Sequence, residues 1–175
     1  EDINFNLNVN IKNFSFDRFK ATDASGKIIL NNKQIEATKI RFYTMDGYIM
    51  ANGLIDNNRN NNILLSCDLN LEKVNINKLF YQFYNFGQES MKDNNLKGKV
   101  NAEIQFAAFC NNSLNIDVNT VYVKTSINIE NGELINYKPV QGLSSYIKGR
   151  NLSHIKFSSL KNEIEIKDRI IYIPS

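Results

Sequence analysis

The sequence predicts a mainly β fold: an elongated, curved antiparallel sheet, either an open groove or a partly closed sandwich, with two short helices. Three observations predict it. Apolar and polar residues alternate with period two through most of the 175 residues, which is typical of half-buried antiparallel strands. Polar turn residues separate the alternating segments. Helical periodicity occurs in only two short segments, too few for the repeated crossovers that a parallel sheet needs.

The composition favours one β-rich domain over residues 1–175. Hydrophobic residues make up 42% of the chain, which argues against intrinsic disorder. The net charge is only +3 and no basic run occurs, so we expect no nucleic-acid partner. The chain starts without Met and almost directly in a strand. We therefore expect a fragment of a longer protein, with any targeting segment or membrane anchor outside it.

The first sixty residues predict paired strands. Residues 3–11, INFNLNVNI, alternate five apolar side chains with four asparagines, and FSFDRF follows with three phenylalanines nearly in register. The segments GKIILNN and KQIEATKIRFYT are separated by a turn at Asn31 and Asn32. Asp46-Gly47 is the strongest short hairpin signal in the chain.

A polar run and a strand come next. The run DNNRNNN at residues 56–62 suits a hairpin tip, and it lacks the spaced carboxylates of a calcium loop. In ILLSCDLNL, alternate apolar residues from Ile63 to Leu71 share one side.

A change of period predicts a helix at about residues 75–86. Ile76, Leu79, Phe80 and Phe83 fall at helical spacing, with an Asn75 cap at the start and Gly87 at the end. The aromatic face would suit a membrane-surface helix. The polar face is not rich in lysine, however, and this favours a helix laid across the sheet to cover part of it.

The second half predicts further strands and a second helix. Strands are expected at LKGKVNAEIQFAAF, SLNIDVN and VYVKTSINIE, with a tight turn in ENGEL at 130–134. Pro139 opens a short helix that Gly149 stops. Its apolar side is Val140, Leu143, Tyr146 and Ile147. The tail reads as strands around a polar turn at 167–169, which gives roughly ten strands in all.

The residues offer no catalytic constellation. His154 is the only histidine and has no partner in a motif, so a surface or capping role is favoured. Glu163 and Glu165 alternate with isoleucines and suit a solvated strand face. Cys67 and Cys110 are in phase with apolar positions, which favours two buried free thiols over a disulfide. We expect no enzyme activity, no metal and no cofactor.

Four segments taken together resemble one family. DLNLEKVNINKLFYQF resembles a strand that turns into a short helix, and NLKGKVNAEIQF resembles the strand after that helix. INIENGELINYKPVQGLSSYI resembles a hairpin-to-helix segment, and LSHIKFSSLKNEIEIKDRIIYIP resembles the strands that follow it. Their order and spacing resemble the C-terminal region of AsmA-like proteins, relatives of TamB, and particularly the long forms of Bacteroidetes-type bacteria.

The resemblance implies a periplasmic protein anchored in the inner membrane of a Gram-negative bacterium. It implies a long curved β-sheet whose apolar groove serves phospholipid transport to the outer membrane, or the assembly and maintenance of that membrane. Its partners would be phospholipid or another acyl-chain lipid and neighbouring β-segments of the same full-length protein.

The ratio of predicted strands to predicted helices also supports a lipid groove. Roughly ten strands each offer three to five apolar residues on one face, and only two short helices can cover them. The candidate lining residues are Ile3, Phe5, Leu7, Val9, Ile11, Ile63, Leu65, Leu69, Ile104, Phe106, Ile127 and Ile129. Each would equally suit an ordinary core position. Two alternatives stay open: a structural or interaction domain that pairs through exposed strand edges without binding lipid, and an enzyme acting on envelope polymers.

Overall fold

The computed structural model describes residues 4–59, 62–146 and 152–173, and these form one nine-stranded antiparallel sheet with two short α-helices. The strands are β1 (Asn4–Phe16), β2 (Phe19–Asn31), β3 (Gln34–Thr44), β4 (Gly47–Arg59), β5 (Asn62–Asn75), β6 (Leu96–Cys110), β7 (Tyr122–Ile135), β8 (His154–Lys167) and β9 (Ile170–Tyr172). The helices are α1 (Ile76–Gln82) and α2 (Lys138–Gln141). Each strand pairs with the next in sequence, and the sheet is not closed. The predicted curved antiparallel sheet with two short helices is confirmed.

The two ends of the sheet differ. The turns at residues 17–18 and 45–46 lie together with α1 at one end, called here the helix end. The turns at residues 32–33 and 168–169 lie at the opposite, far end. The Asp46-Gly47 hairpin is confirmed, with Met45 and Asp46 as turn residues of positive φ. A Cβ at Gly47 would lie 2.6 Å from the Val74 Cα atom, so only glycine lets β5 approach this turn so closely.

Two predicted features are wrong. SLNIDVN is not a strand, because the side chains of Asn111, just before it, and Asp117, within it, accept backbone N–H bonds of the segment and compete with sheet pairing. Asn111 Oδ1 accepts from Ser113 and Asn115, and only a single bridge links Ile116 to β6. ENGEL is not a turn, because β7 passes through it and its pairing with β8 keeps one register.

Bulges let several strands change their apolar spacing from two residues to three. In β3 the register shifts between Ala37 and Ile40, and in β5 it shifts between Leu71 and Val74. A lysine of left-handed φ lies in each shift, Lys39 and Lys73. Asparagine side chains of the neighbouring strands, Asn52 and Asn101, accept the N–H of these two lysines at 2.9 Å. The apolar residues on both sides of each bulge therefore keep the same face.

Helix α1 begins where predicted and ends earlier. The Asn75 side chain accepts N–H bonds from Asn77 and Lys78 at 3.1 and 3.3 Å, which satisfies two donors of the first turn. The helix ends at Gln82 because Tyr84, Asn85 and Phe86 take left-handed conformations and fold the chain back. Pro139 lies in the first turn of α2 as predicted, while Ile147 and Gly149 lie outside the described residues.

The core lies at the helix end, between α1 and one face of the sheet. Val74 is fully buried and Val100 is 2% exposed. The cluster around them is Met45, Ile49, Leu71, Ile76, Leu96 and Ala102. Leu79 and Phe80 of α1 pack against this cluster from above. The helix therefore covers part of the sheet, as the sequence favours.

We expect Val74→Ala to destabilise the fold by about 2 kcal/mol, because two buried methyl groups are lost and a cavity remains. The matched control is Val118→Ala, since Val118 is 58% exposed in the loop after β6. Its effect should stay below about 0.5 kcal/mol. Urea unfolding measures both free energies of unfolding. Equal effects would mean that the core does not lie under α1.

Candidate functional site

The register of the sheet places apolar side chains of all nine strands on one face, called here the apolar face. Directly paired residues of antiparallel strands point to the same side. One row of paired residues crosses the whole sheet: Leu7, Ile28, Ala37, Gly53, Cys67, Phe106, Val123, Ile166 and Ile171. This row contains no charged and no hydrogen-bonding side chain other than one thiol.

Parallel rows extend the apolar face toward both ends of the sheet. Toward the far end lies the row Phe5, Leu30, Ile35, Ile55, Leu65 and Ala108. Toward the helix end lie the row Ile40, Ala51, Leu69, Ile104, Thr125 and Ile164 and the row Phe42, Ile49, Leu71, Ala102, Ile127 and Asn162. The last of these rows contributes to the core under α1.

Exposure on the apolar face is greatest toward the β1 edge, whereas the middle strands are buried under α1 and also at the far end, where Ile63, Ala108 and Cys110 are at most 7% exposed. Ile49 and Leu71, under α1, are 7% and 5% exposed. On β1 and β3, Leu7 is 49% and Ile35 is 41% exposed. The row through Leu7 and the row through Phe5 are called here the open rows. Large exposed apolar surfaces of this kind mark interaction sites.

The opposite face of the sheet is mostly polar. Its rows include Asn52, Asp68, Gln105, Lys124 and Glu165 on consecutive strands. The asparagines of β1 lie on this face too, because they alternate with the apolar residues of that strand. The sheet therefore has one face of each kind.

All the described candidate lining residues share the apolar face. Ile3 lies outside the described residues. Phe5, Leu7 and Ile11 are exposed, and Ile63 is buried. The half-buried ones are Val9, Leu65, Leu69, Ile104, Phe106, Ile127 and Ile129. Of these, Leu69, Ile104, Ile127 and Ile129 pack against the core cluster, so the residues left to meet a ligand lie mainly in β1 and the open rows.

The sequence reasoning left several residues of this face out of the lining. They are Ile28, Leu30, Ile35, Ile40, Ile55, Val123, Ile164 and Ile166. Their alternation is as regular as that of INFNLNVNI, and aligning the hairpins on their turns would have placed them on the same face.

A depression between side chains lies on the polar face. It measures about 610 Å³, and its lining includes Asp68, Glu103, Gln105 and Lys124. A glycosidase needs one carboxyl group in an apolar pocket beside a second carboxylate. Asp68 and Glu103 are both exposed, so this depression does not suggest that chemistry.

An ion pair holds α1 against the turn between β3 and β4. Lys78 Nζ lies 2.7 Å from Asp46 Oδ1, and Asn75 Nδ2 donates to the other carboxylate oxygen at 3.4 Å. The hydrogen bond from Lys78 holds the pKa of the Asp46 carboxyl below its usual value. This contact fixes the helix that closes the helix end of the apolar face.

Both cysteines are free thiols. Cys110 is 2% exposed, near the end of β6. Cys67 is half-buried in the middle of the row that crosses all nine strands. Burial raises the pKa of the Cys67 thiol, and the charge of Asp68 raises it further. Cys67 is thus a half-buried free thiol at the centre of the apolar face.

His154 takes part in a surface ion cluster. Its Nε2 atom lies 3.0 Å from Glu133 Oε2, and Lys97 and Lys156 lie 3.4 and 3.6 Å from the same carboxylate. The hydrogen bond from His154 lowers the pKa of Glu133, and Lys97 adds to this. These contacts join β6, β7 and β8 at the helix end.

The two edges of the sheet differ in their protection. β1 carries one charged residue, Lys12, and its residues are exposed except for half-buried Val9. β9 pairs with only the last three residues of β8. The rest of β8 carries charged side chains such as Lys156, Lys161 and Glu163. Charges and short edge strands discourage pairing with other chains, so β1 is the less protected edge.

Within residues 4–59, 62–146 and 152–173, no group of three or more His, Cys, Asp or Glu side chains could hold a metal ion. No helix of that part is long and apolar enough to cross a membrane.

The fold and its surfaces define a class: an open antiparallel sheet with one apolar and one polar face. Comparisons of this chain with known proteins find no matching family model, no matching curated protein and no matching solved structure.

We expect Asp46→Asn to lower the free energy of unfolding at neutral pH by less than about 1 kcal/mol, since the ion pair is half exposed. A lowered pKa in the folded state stabilises the fold above the unfolded pKa of about 3.9. This contribution is lost as the pH falls through the lower folded pKa, so the variant and wild type should converge in acid. Urea unfolding of both proteins at several pH values tests this convergence. The control is Asp168→Asn, since Asp168 is another turn residue of left-handed φ. A difference that persists in acid would contradict the ion pair as its cause.

Proposed function

We propose that this chain is a non-enzymatic lipid-handling module of an AsmA-like protein of the bacterial envelope. In this proposal the apolar face holds the acyl chains of phospholipid during its transport to the outer membrane, or during the assembly and maintenance of that membrane. The module works in the periplasm, and the full-length protein is anchored in the inner membrane.

One observation carries the proposal: the apolar face crosses nine strands, and α1 covers only its helix end. A β-sheet with an apolar face normally buries that face against a second layer. In the described residues no second sheet lies opposite the open rows. A ligand that is itself apolar is the occupant that such a surface suits.

The energetics favour a long, flexible, uncharged chain as that occupant. Burying a methylene group yields about 0.8 kcal/mol. Each acyl methylene that leaves water for the open rows gains part of this, and no charged partner is required. The polar face stays hydrated on the other side of the sheet.

The resemblance to AsmA-like proteins supports the cellular setting. Two of the segments that resemble the family, DLNLEKVNINKLFYQF and NLKGKVNAEIQF, lie in β5 with α1 and in β6. They form the strand, helix and strand that the resemblance implies. The resemblance and the apolar face together support the proposed function and compartment.

The triple variant Leu7→Ser, Ile35→Ser and Ile55→Ser tests the apolar face. These residues are 49%, 41% and 38% exposed, so the fold should tolerate the changes. We expect at least about a tenfold loss of affinity for a fluorescent fatty acid, because three apolar side chains that contact its acyl chain are removed.

The matched control is the double variant Tyr43→Ser and Met50→Ser. Tyr43 and Met50 are exposed apolar residues on the polar face, and we expect no loss of affinity from it. Native mass spectrometry of the wild-type chain with phosphatidylethanolamine gives an independent reading. Fatty-acid binding that survives the triple variant, or equal losses in both variants, would refute an apolar-face site.

Cys67 supplies a second readout at the same site. An acyl chain on the row through Cys67 should slow its alkylation by a maleimide, measured at mildly alkaline pH because the thiol pKa is raised. Buried Cys110 should stay unreactive in both states. Unchanged Cys67 labelling with saturating lipid would place the lipid elsewhere.

The open edge of β1 favours a second candidate function, a structural domain that pairs with other β-segments and binds no lipid. The edge is 13 residues long and has no proline and only one charge, so it can accept another strand. Neighbouring β-segments of the same full-length protein are its partners in this alternative.

The double variant Asn6→Lys and Asn8→Lys tests the edge. Both residues alternate with Phe5 and Leu7 and lie on the polar face, so the open rows stay unchanged. If β1 pairs between copies of the chain, like charges should reduce the dimer fraction in light scattering after size exclusion. The control is Lys161→Gln, on β8. A dimer that withstands both lysines does not form through β1.

A further inference from the structure

Exposed aromatic side chains gather at the helix end of the sheet. They come from the end of β1 and from the segment around the end of α1. The set, called here the aromatic platform, consists of Phe14, Phe16, Tyr81, Phe83, Tyr84 and Phe86, which are 44%, 74%, 51%, 43%, 49% and 55% exposed. Exposed apolar side chains that cluster in this way are typical of interaction surfaces.

Contacts between the two segments fix the platform. Phe19 at the start of β2 lies against both Phe14 and Phe83, with ring centroids 6.2 and 6.0 Å apart. Phe86 stacks on Phe83 at 5.8 Å and meets Phe80 edge-on at 5.2 Å. Phe14, Phe83 and Phe86 are therefore held in place before any partner arrives, which lowers the entropic cost of binding.

A cation lies within the same surface. The Arg18 guanidinium lies 4.0 Å from the ring centre of Tyr84 and 4.9 Å from that of Tyr81. The Tyr84 hydroxyl donates a hydrogen bond to Asp17, the carboxylate next to Arg18. Lys12 and Lys20 are exposed on the same hairpin, with Lys20 on the side opposite to Phe16 and Phe19. The platform thus combines aromatic rings with the positive charge of Arg18.

The platform continues into the apolar face through two paths. Phe19 also contacts Phe42, one of the residues of that face, at 6.0 Å. Along β1, apolar residues are accessible from the platform to the far end: Phe16, Phe14, Ile11, Val9, Leu7 and Phe5. An extended strand of 13 residues is about 40 Å long. This exceeds the full hydrocarbon thickness of a bilayer, about 30 Å.

We propose that the aromatic platform docks this chain on the surface of a phospholipid bilayer. Aromatic rings, and tyrosine in particular, favour the headgroup region, where one side is apolar and the other is wet. An arginine beside them, here Arg18, attracts anionic headgroups. The platform is joined to the apolar face, so a lipid leaving the bilayer meets β1 first. This inference rests on the proposed lipid-handling function.

The absence of tryptophan from the chain gives a direct test. Phe86→Trp places a single reporter in the platform, and Val118→Trp is the matched control at the far end, since Phe86 and Val118 are 55% and 58% exposed. Each variant is mixed with vesicles of phosphatidylethanolamine and phosphatidylglycerol. We expect a blue shift of emission for Phe86→Trp and none for Val118→Trp.

A binding measurement complements the reporters. The double variant Phe83→Ser and Phe86→Ser should lower the vesicle-bound fraction in flotation by roughly tenfold, since two rings no longer insert. Leu114→Ser with Val118→Ser should leave it unchanged. Circular dichroism of each variant is the control for folding.

Three results would overturn the proposal: no blue shift at Phe86→Trp, equal shifts at both reporters, or a shift that appears on concentrating the protein without vesicles. The last would identify a second copy of the chain as the occupant. Binding of soluble fatty acid separates the apolar-face proposal from the platform proposal. The triple variant in the open rows should impair this binding. If fatty-acid binding persists while vesicle docking fails, only the platform proposal is wrong. If fatty-acid binding fails while vesicle docking occurs, the apolar-face site is wrong.

Discussion

The placement of the apolar strand positions on a single face is the constraint on which the rest of the structure depends. Strands that pair in sequence order keep this arrangement only if each register is correct, because a slip of one residue turns every side chain of a strand over. The bulges at Lys39 and Lys73 are consistent with that constraint. At each bulge the apolar residues are three positions apart and still share one face. Asn52 and Asn101 accept the backbone N–H groups of Lys39 and Lys73, which lack a partner in the sheet ladder. Asparagines of the polar face thus help to keep the apolar face continuous.

The cover on that face is unequal, and this divides the molecule into a stable region and an exposed one. Under α1, Val74 and Val100 are sealed from water, and the Asn75 cap and the pair between Asp46 and Lys78 fix the helix in place. Beyond the helix, the open rows of the same face leave side chains such as Leu7 and Ile35 exposed. A seven-residue helix is too short to cover nine strands about 4.8 Å apart. The exposed rows therefore follow from the ratio of sheet to helix.

The sequence was sufficient for the features that local physics determines. Alternation predicted the strands and their faces, Asn75 predicted the start of α1, and Asp46-Gly47 predicted a hairpin. Features that depend on competition between local and distant contacts were missed. The SLNIDVN segment alternates like a strand, but the Asn111 side chain holds it in a local turn. ENGEL carries a turn signal, yet pairing with β8 on one side and β6 on the other keeps it in β7. How much of the apolar face α1 covers also depends on where the chain reverses at Tyr84, which periodicity does not reveal.

The arrangement of exposed apolar residues suggests a path for a lipid from the aromatic platform to the open rows of the apolar face. The core under α1 blocks the middle strands at the helix end, since Ile49 and Leu71 there are almost fully buried. Along β1, by contrast, Phe16, Phe14 and Ile11 leave an accessible apolar line past the helix to the open rows. An acyl chain arriving at the platform would therefore enter along this edge strand rather than under the helix. The same strand is the edge open to pairing, so a strand added beside β1 would widen the line. Strand addition and lipid entry are thus compatible uses of β1, provided that the added strand also turns an apolar side toward this face.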